Sequence, residues 1–140
     1  RTAANMDEEI KFLVDAFYES QNSVDCAKFV SLFADEFAVS DPHGSPPVTT
    51  KDALKSSCEE GATAFDVIDI QPTTVFVSGD GAAASFFCRS VLANGCPLHF
   101  GGTDVFQFDL QSASTPLIKR IDGYFNASIP AIQSNCTDAR

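Results

Sequence analysis

The sequence predicts an α+β domain in which three N-terminal helices pack against a curved antiparallel sheet to form a cone with an internal pocket. Three observations predict it. Apolar residues recur at helical spacing over much of positions 6–60, interrupted by one short strand. Four long apolar or β-branched runs then follow, at about 65–78, 82–92, 97–109 and 116–126. Turn signals, Gly79-Asp80-Gly81 and Asn94-Gly95, separate the first three runs. Helices first and a meander of strands second is the segregated arrangement of an α+β domain.

The first helix is expected over 6–20, with Ile10, Leu13 and Phe17 inward and Phe12 and Ala16 beside them. Asn5 or Asp7 suits its N-cap, and Glu8 and Glu9 suit the positive end of its dipole. After the polar break Gln21-Asn22-Ser23, a second helix is expected from Asp25 to Ala34, turning Phe29, Val30 and Phe33 inward. Glu36 to Asp41 alternates as a strand, and Pro42-His43-Gly44 breaks it. Thr49 with Asp52 resembles a capping box that opens a third helix through about Glu60. Asn94-Gly95 predicts a tight hairpin, because both residues tolerate positive φ. The 140 residues are read as one domain, 1–140, with 1–5 and 129–140 as terminal tails.

Composition narrows the function classes. Apolar residues make up 44% of the chain, and the aromatics are 13 Phe, 2 Tyr and no Trp, which suits a core or an oily pocket. The formal charge of −10 repels phosphate backbones, so no nucleic-acid partner is expected. No apolar run approaches the roughly 20 residues of a membrane span. There is no P-loop, G-x-G-x-x-G strand turn or G-x-S-x-G elbow, and two histidines are too few for a multi-histidine metal site. No cofactor is expected. The cysteines Cys26, Cys58, Cys88, Cys96 and Cys136 form no C-x-x-C pair. With the sequons at Asn126 and Asn135 and a first residue Arg1, they point to a secreted or luminal protein with one or two disulfides and an odd thiol. The alternative is a cytoplasmic protein with unused sequons and cysteines serving as small buried apolar groups.

The remaining candidates for chemistry are carboxylates among apolar residues. Asp41 ends the first strand before a proline, where it is either a catalytic group at the cone's mouth or an ordinary turn aspartate. Asp104 shares one strand face with Phe100, Gly102, Phe106 and Phe108. A charged carboxylate there is destabilising unless compensated. It either pairs with a cation such as Arg89 or stays protonated. Phe17, Tyr18, Phe33, His43, Phe87, Phe100, Phe106, Ile121 and Phe125 complete the expected pocket for an apolar small molecule. His43 is read as a proton shuttle, a contact for a polar ligand head, or a solvent-facing loop residue. His99 is read as surface, and Gly101-Gly102 as a bulge or a gap left for ligand.

Phe33-Ala34-Asp35-Glu36-Phe37 and the turn Asp41-Pro42-His43-Gly44-Ser45 resemble the F-A-D-D strand entry and D-P-x-G-S turn of bacterial Δ5-3-ketosteroid isomerases. Gly102-Thr103-Asp104-Val105-Phe106-Gln107-Phe108 resembles that family's oxyanion-hole strand. The similarity runs over about residues 8–126 and places the chain in the wider NTF2-like, SnoaL-like group, with its cystatin-like α+β roll. It implies Asp41 as the catalytic base and Asp104 as a protonated donor to a dienolate oxygen. It also implies a homodimer paired through the sheet, with Tyr124 on the contact face. The family's tyrosine donor on the first helix aligns with Phe17, while Tyr18 lies one step, about 100°, toward the flank. Three functions stay open: a cofactor-free isomerase or lyase acting next to a carbonyl, a secreted binder of a hydrophobic ligand such as a sterol, carotenoid or terpenoid, and a protein-association domain.

Overall fold

The computed structural model describes residues 2–136. Helix α1 spans Ala3–Asn22 and starts earlier than the sequence suggests, because Thr2 caps it by accepting from the Asn5 amide at 3.2 Å. Its most deeply buried row is Ile10, Val14 and Tyr18, with Leu13 and Phe17 alongside. Phe12 is 74% exposed. The apolar stripe therefore follows i, i+4, i+8 as much as i, i+3, i+7, and the whole helix is rolled toward Tyr18.

Helix α2 is short, Cys26–Ser31, and is capped by Asp25. Phe33 and Ala34, expected at the end of this helix, instead open strand β1, Phe33–Ser40. Helix α3, Lys51–Ala64, is capped by Thr50 rather than Thr49, with the Thr50 side chain accepting from the Ala53 amide at 3.2 Å. The sheet follows as β2 Phe65–Val67, β3 Ile70–Ser78, β4 Gly81–Leu92, β5 Pro97–Asp109 and β6 Leu117–Tyr124. The expected strand at 65–78 is thus two strands. A further helix, α4 at Ser128–Gln133, lies in the stretch expected to be a tail.

The strand order is β1-β6-β5-β4-β2, with β3 also paired to β4, so the sheet stays open. All ladders are antiparallel except β1 with β6, which is parallel and sets Ser40 opposite Asp122. Register shifts interrupt four of the five ladders. Such irregularities bend strands, and here they accompany a sheet curved around the helices. The β4–β5 turn is longer than a two-residue hairpin: Leu92 donates to the Cys96 carbonyl at 2.9 Å, and Gly95 alone of the Asn94-Gly95 pair has positive φ, at 86°.

Phenylalanines fill the base of the cone. Phe17 meets Phe106 edge-on with centroids 5.2 Å apart, and Phe106 stacks on Phe108 at 5.9 Å. Each such pair contributes about 0.5–1.5 kcal/mol beyond its buried area. Phe33, Phe106 and Ile121, expected to line the pocket, are parts of this core. Two disulfides close the periphery: Cys26–Cys58 joins α2 to α3, and Cys96–Cys136 ties the β4–β5 turn to the residues after α4. Cys88 is free and buried. Among the described residues, no helix is long and apolar enough to cross a membrane.

Candidate functional site

Three elements bring the site together. β5 carries Asp104 on its inner face, opposite Gly123 of β6. β1 delivers Asp41 immediately after its last residue, and α1 supplies Tyr18 from the other side. The Tyr18 hydroxyl donates to Asp104 Oδ2 at 2.6 Å, and this contact is buried. Tyr18, read from helical phase as a flanking residue, therefore faces the site, because the roll of α1 brings the 10-14-18 row inward. The hydroxyl expected to be missing beside Phe17 is present one residue later.

Gly123 lets the two carboxyl groups approach each other. A Cβ on Gly123 would collide with Asp41 Oδ1, and it would lie 3.1 Å from both Asp41 Cγ and Asp104 Oδ1. Both acids thus crowd the same bare α-carbon. Gly102 is also tightly packed: its Cβ would sit 2.6 Å from the Tyr124 carbonyl oxygen and 2.8 Å from Phe86 Cζ. The ligand gap imagined at Gly101-Gly102 is therefore filled by protein.

The electrostatics follow from this geometry. Asp104 is only 8% exposed, and burial pushes its pKa up to about 7. The Tyr18 hydrogen bond opposes that rise, and the nearby Asp41 charge adds to it. Burial also raises the pKa of Asp41. Asp41 is open to solvent on one side, but it sits in a concavity with protein on the others, so water reaches it without fully hydrating it. Tyr18 is held far above the ordinary phenol range, first by burial and then by Asp104, so it stays a hydrogen-bond donor. Arg89, considered as a partner for Asp104, instead lies over the outward-facing Phe87 ring at 5.0 Å.

A cavity of about 210 Å³ opens onto Asp41. Its walls include Phe17, Gln21, Phe29, Val48, Leu54 and Ser57. Asp104 is not among the residues that wall this cavity. Gln21, Leu54, Ser57 and Cys58 wall the cavity and were missed in the sequence; the available signal is spacing, since Gln21 follows Phe17 by one helical turn and Leu54, Ser57 and Cys58 share one face of α3. A larger groove, about 760 Å³, runs past Phe12, Leu13, Leu32 and Pro116 and touches neither acid.

Of the nine expected pocket residues, Phe17 alone walls the cavity at Asp41, and two lie on the outer face of the sheet. Phe87 is on the outer face of the sheet, because alternation along β4 turns Phe86 inward. Phe86 packs against Tyr18 at 6.2 Å and Phe100 at 6.1 Å. His43 also sits outside, bonded to Asp122 Oδ1 at 3.0 Å and stacked on Tyr124 at 4.8 Å. Phe100 and Phe125 pack together on the inner side at 5.3 Å. His99 is at the surface as expected, and its backbone exchanges two hydrogen bonds with the Gln133 side chain of α4.

The SnoaL-like domain family matches residues 14–111. Solved structures with the same fold include the epoxide hydrolase/cyclase-like enzyme SalBIII of pyran ring formation in the polyether salinomycin, at TM-score 0.76 and 16% identity over 88% of this chain and 95% of that one. A computationally designed 17-OHP binder aligns at TM-score 0.74 and 16% identity, covering 86% and 95% of the two chains. RV0760c from Mycobacterium tuberculosis, in complex with estradiol-17beta-hemisuccinate, aligns at TM-score 0.74 and 17% identity, covering 86% and 96%.

Proposed function

The chain belongs to the SnoaL-like domain family, and on that premise we propose that it moves a proton at a carbon next to the carbonyl of an apolar small molecule. The proposed reaction is isomerisation of a carbon–carbon double bond, without a cofactor. Asp41 is the base. Asp104, kept protonated by burial and oriented by Tyr18, donates to the oxygen on which negative charge develops. The reading is carried by one observation: two carboxyl groups meet over the bare α-carbon of Gly123, and the more buried one has a tyrosine hydroxyl on its far oxygen. A pair whose environments separate a base from a neutral acid is what general acid–base catalysis requires. The likeness of the Asp41-Pro42 turn and the Asp104 strand to ketosteroid isomerases supports the same roles.

The cavity of about 210 Å³ favours a compact substrate, or one ring of a larger one with the rest projecting through the mouth. The test follows conjugation of 3-cyclohexenone by ultraviolet absorbance. Asp41→Asn is expected to lower the rate at least ~10²-fold, the lower bound for removing a general base. Equal rates in parent and variant refute the assignment.

A second reading, a non-catalytic binder of a hydrophobic ligand, is supported by the steroid-type ligands of two fold neighbours. Native mass spectrometry of protein from its source separates the two, since a binder retains its ligand unchanged. Two disulfides and exposed asparagines at both sequons support a secreted or luminal setting. Absence of glycan from natural protein at Asn126 and Asn135 counts against it. Exposed Phe76, Val105 and Tyr124 support pairing through the sheet, which a monomeric sedimentation mass excludes.

A further inference from the structure

We propose that His43 is a positioning residue, holding the Asp41 carboxyl in place from the opposite face of the sheet. The inference rests on the reading of Asp41 as the base. Three consecutive residues of β6 grip the segment that carries Asp41. The His43 amide donates to the Gly123 carbonyl at 2.6 Å. The His43 ring bonds Asp122 Oδ1 through Nδ1 at 3.0 Å and stacks nearly parallel on Tyr124, at 21° between planes.

Asp122 is itself fixed. Arg120 donates to both of its oxygens, at 2.8 and 3.1 Å, and holds its carboxyl below the ordinary range, with His43 adding to the effect. Asp122 is therefore an acceptor, so His43 Nδ1 carries the proton in this bond. Two residues earlier, on the inner side, Asp41 lies against the bare α-carbon of Gly123. The chain thus clasps one strand from both faces, with a carboxyl inside and an imidazole outside. Residues Pro46 and Val48 of the same connection wall the cavity, and Val39 and Val48 close its base with two backbone hydrogen bonds at 2.9 Å. The groups facing the His43 ring are Asp122 and Tyr124, with Arg120 behind Asp122.

If the outer clasp is released, Asp41 is free to leave its seat for solvent. Its carboxyl then loses the desolvation that raises its pKa, and Asp104 loses the adjacent negative charge. Carbon-13 carboxyl signals of Asp41 and Asp104, assigned by their disappearance in Asp41→Asn and Asp104→Asn, report both effects without any substrate. In His43→Ala both titration midpoints are expected to fall by roughly 0.5 pH unit or more, the scale of losing a near neighbour's charge or part of a burial penalty. His43→Asn keeps an N–H at the Nδ1 position and is expected to recover at least half of that shift. Asp122→Asn, which weakens the same hold, is expected to shift both midpoints in the same direction as His43→Ala. Midpoints unmoved in both His43→Ala and Asp122→Asn overturn the proposal, even if the variants melt at lower temperature. Failure of Asp41→Asn to slow isomerisation would sink the catalytic role alone, because the midpoints still decide whether His43 positions the carboxyl.

Discussion

Replacing Asp104 with asparagine tests whether the site stores unfavourable charge burial. Burial holds the Asp104 pKa at about 7, against an ordinary value of 3.8. A gap of about 3 units corresponds to ~4 kcal/mol, at 1.36 kcal/mol per unit. Between those two values the native state binds more protons than the unfolded chain, so stability falls as pH rises through the window and levels off above it. Asparagine has nearly the same shape, its amide oxygen still accepts from Tyr18, and it carries no charge to bury. At pH 4 parent and variant should therefore differ little. At pH 8.5 the variant should be more stable by about 3–4 kcal/mol relative to that baseline. Urea unfolding at the two pH values measures this directly. With a slope near 2 kcal/mol per molar, the midpoint of the variant should move up by roughly 1.5–2 M at pH 8.5. An equal difference between the two proteins at both pH values would show that Asp104 ionises in the fold as it does in water, and the argument for a neutral acid would fail.

Two further predictions address Tyr18 and the disulfide between α2 and α3. In Tyr18→Phe the Asp104 carboxylate loses the hydrogen bond that opposes its pKa rise, so its titration midpoint should climb by about 1–2 units, the equivalent of a charge-assisted bond of ~1.5–3 kcal/mol. Carbon-13 NMR of the carboxyl reads this, and a fall in the midpoint would contradict the assigned donor. Replacing Cys26 and Cys58 together by serine opens a link across a sequence separation of 32 and should cost about 3–4 kcal/mol by loop entropy. Urea unfolding with unchanged stability would show that α2 and α3 are held by packing alone.

Most of the fold was legible because period and punctuation agree in this chain. The four long runs, the face of β5 that carries Asp104, and the outward turn of Tyr124 all follow from alternation by two. What escaped were the points where a local signal competes with tertiary contacts. Thr2 and Thr50 win the caps from Asn5 and Thr49 by the geometry of a single turn. Phe33 leaves the helical pattern because β1 pairs with β6, with Phe33 opposite Ile118. α4, six residues long with a proline inside it, gives too short a pattern to separate it from a tail, yet Gln133 reaches the backbone of His99 and Cys136 is disulfide-bonded.

The candidate site was legible in its acids and illegible in the hydroxyl that meets them. Asp41 and Asp104 were singled out because each breaks the apolar pattern around it, and such breaks mark places where stability is given up for something else. Tyr18 obeyed the pattern on one choice of helical phase and was set aside on another, a difference of one residue that the sequence alone leaves open. The pairing itself depends on what is absent. Gly123 contributes no atom to the chemistry, yet any side chain there would drive Asp41 off its seat and take its charge away from Asp104. Composition scores a glycine in an inner strand position as weak packing. Here that missing Cβ is the space in which two carboxyl groups approach each other, and burial raises the pKa of both, more for Asp104 than for the partly solvated Asp41.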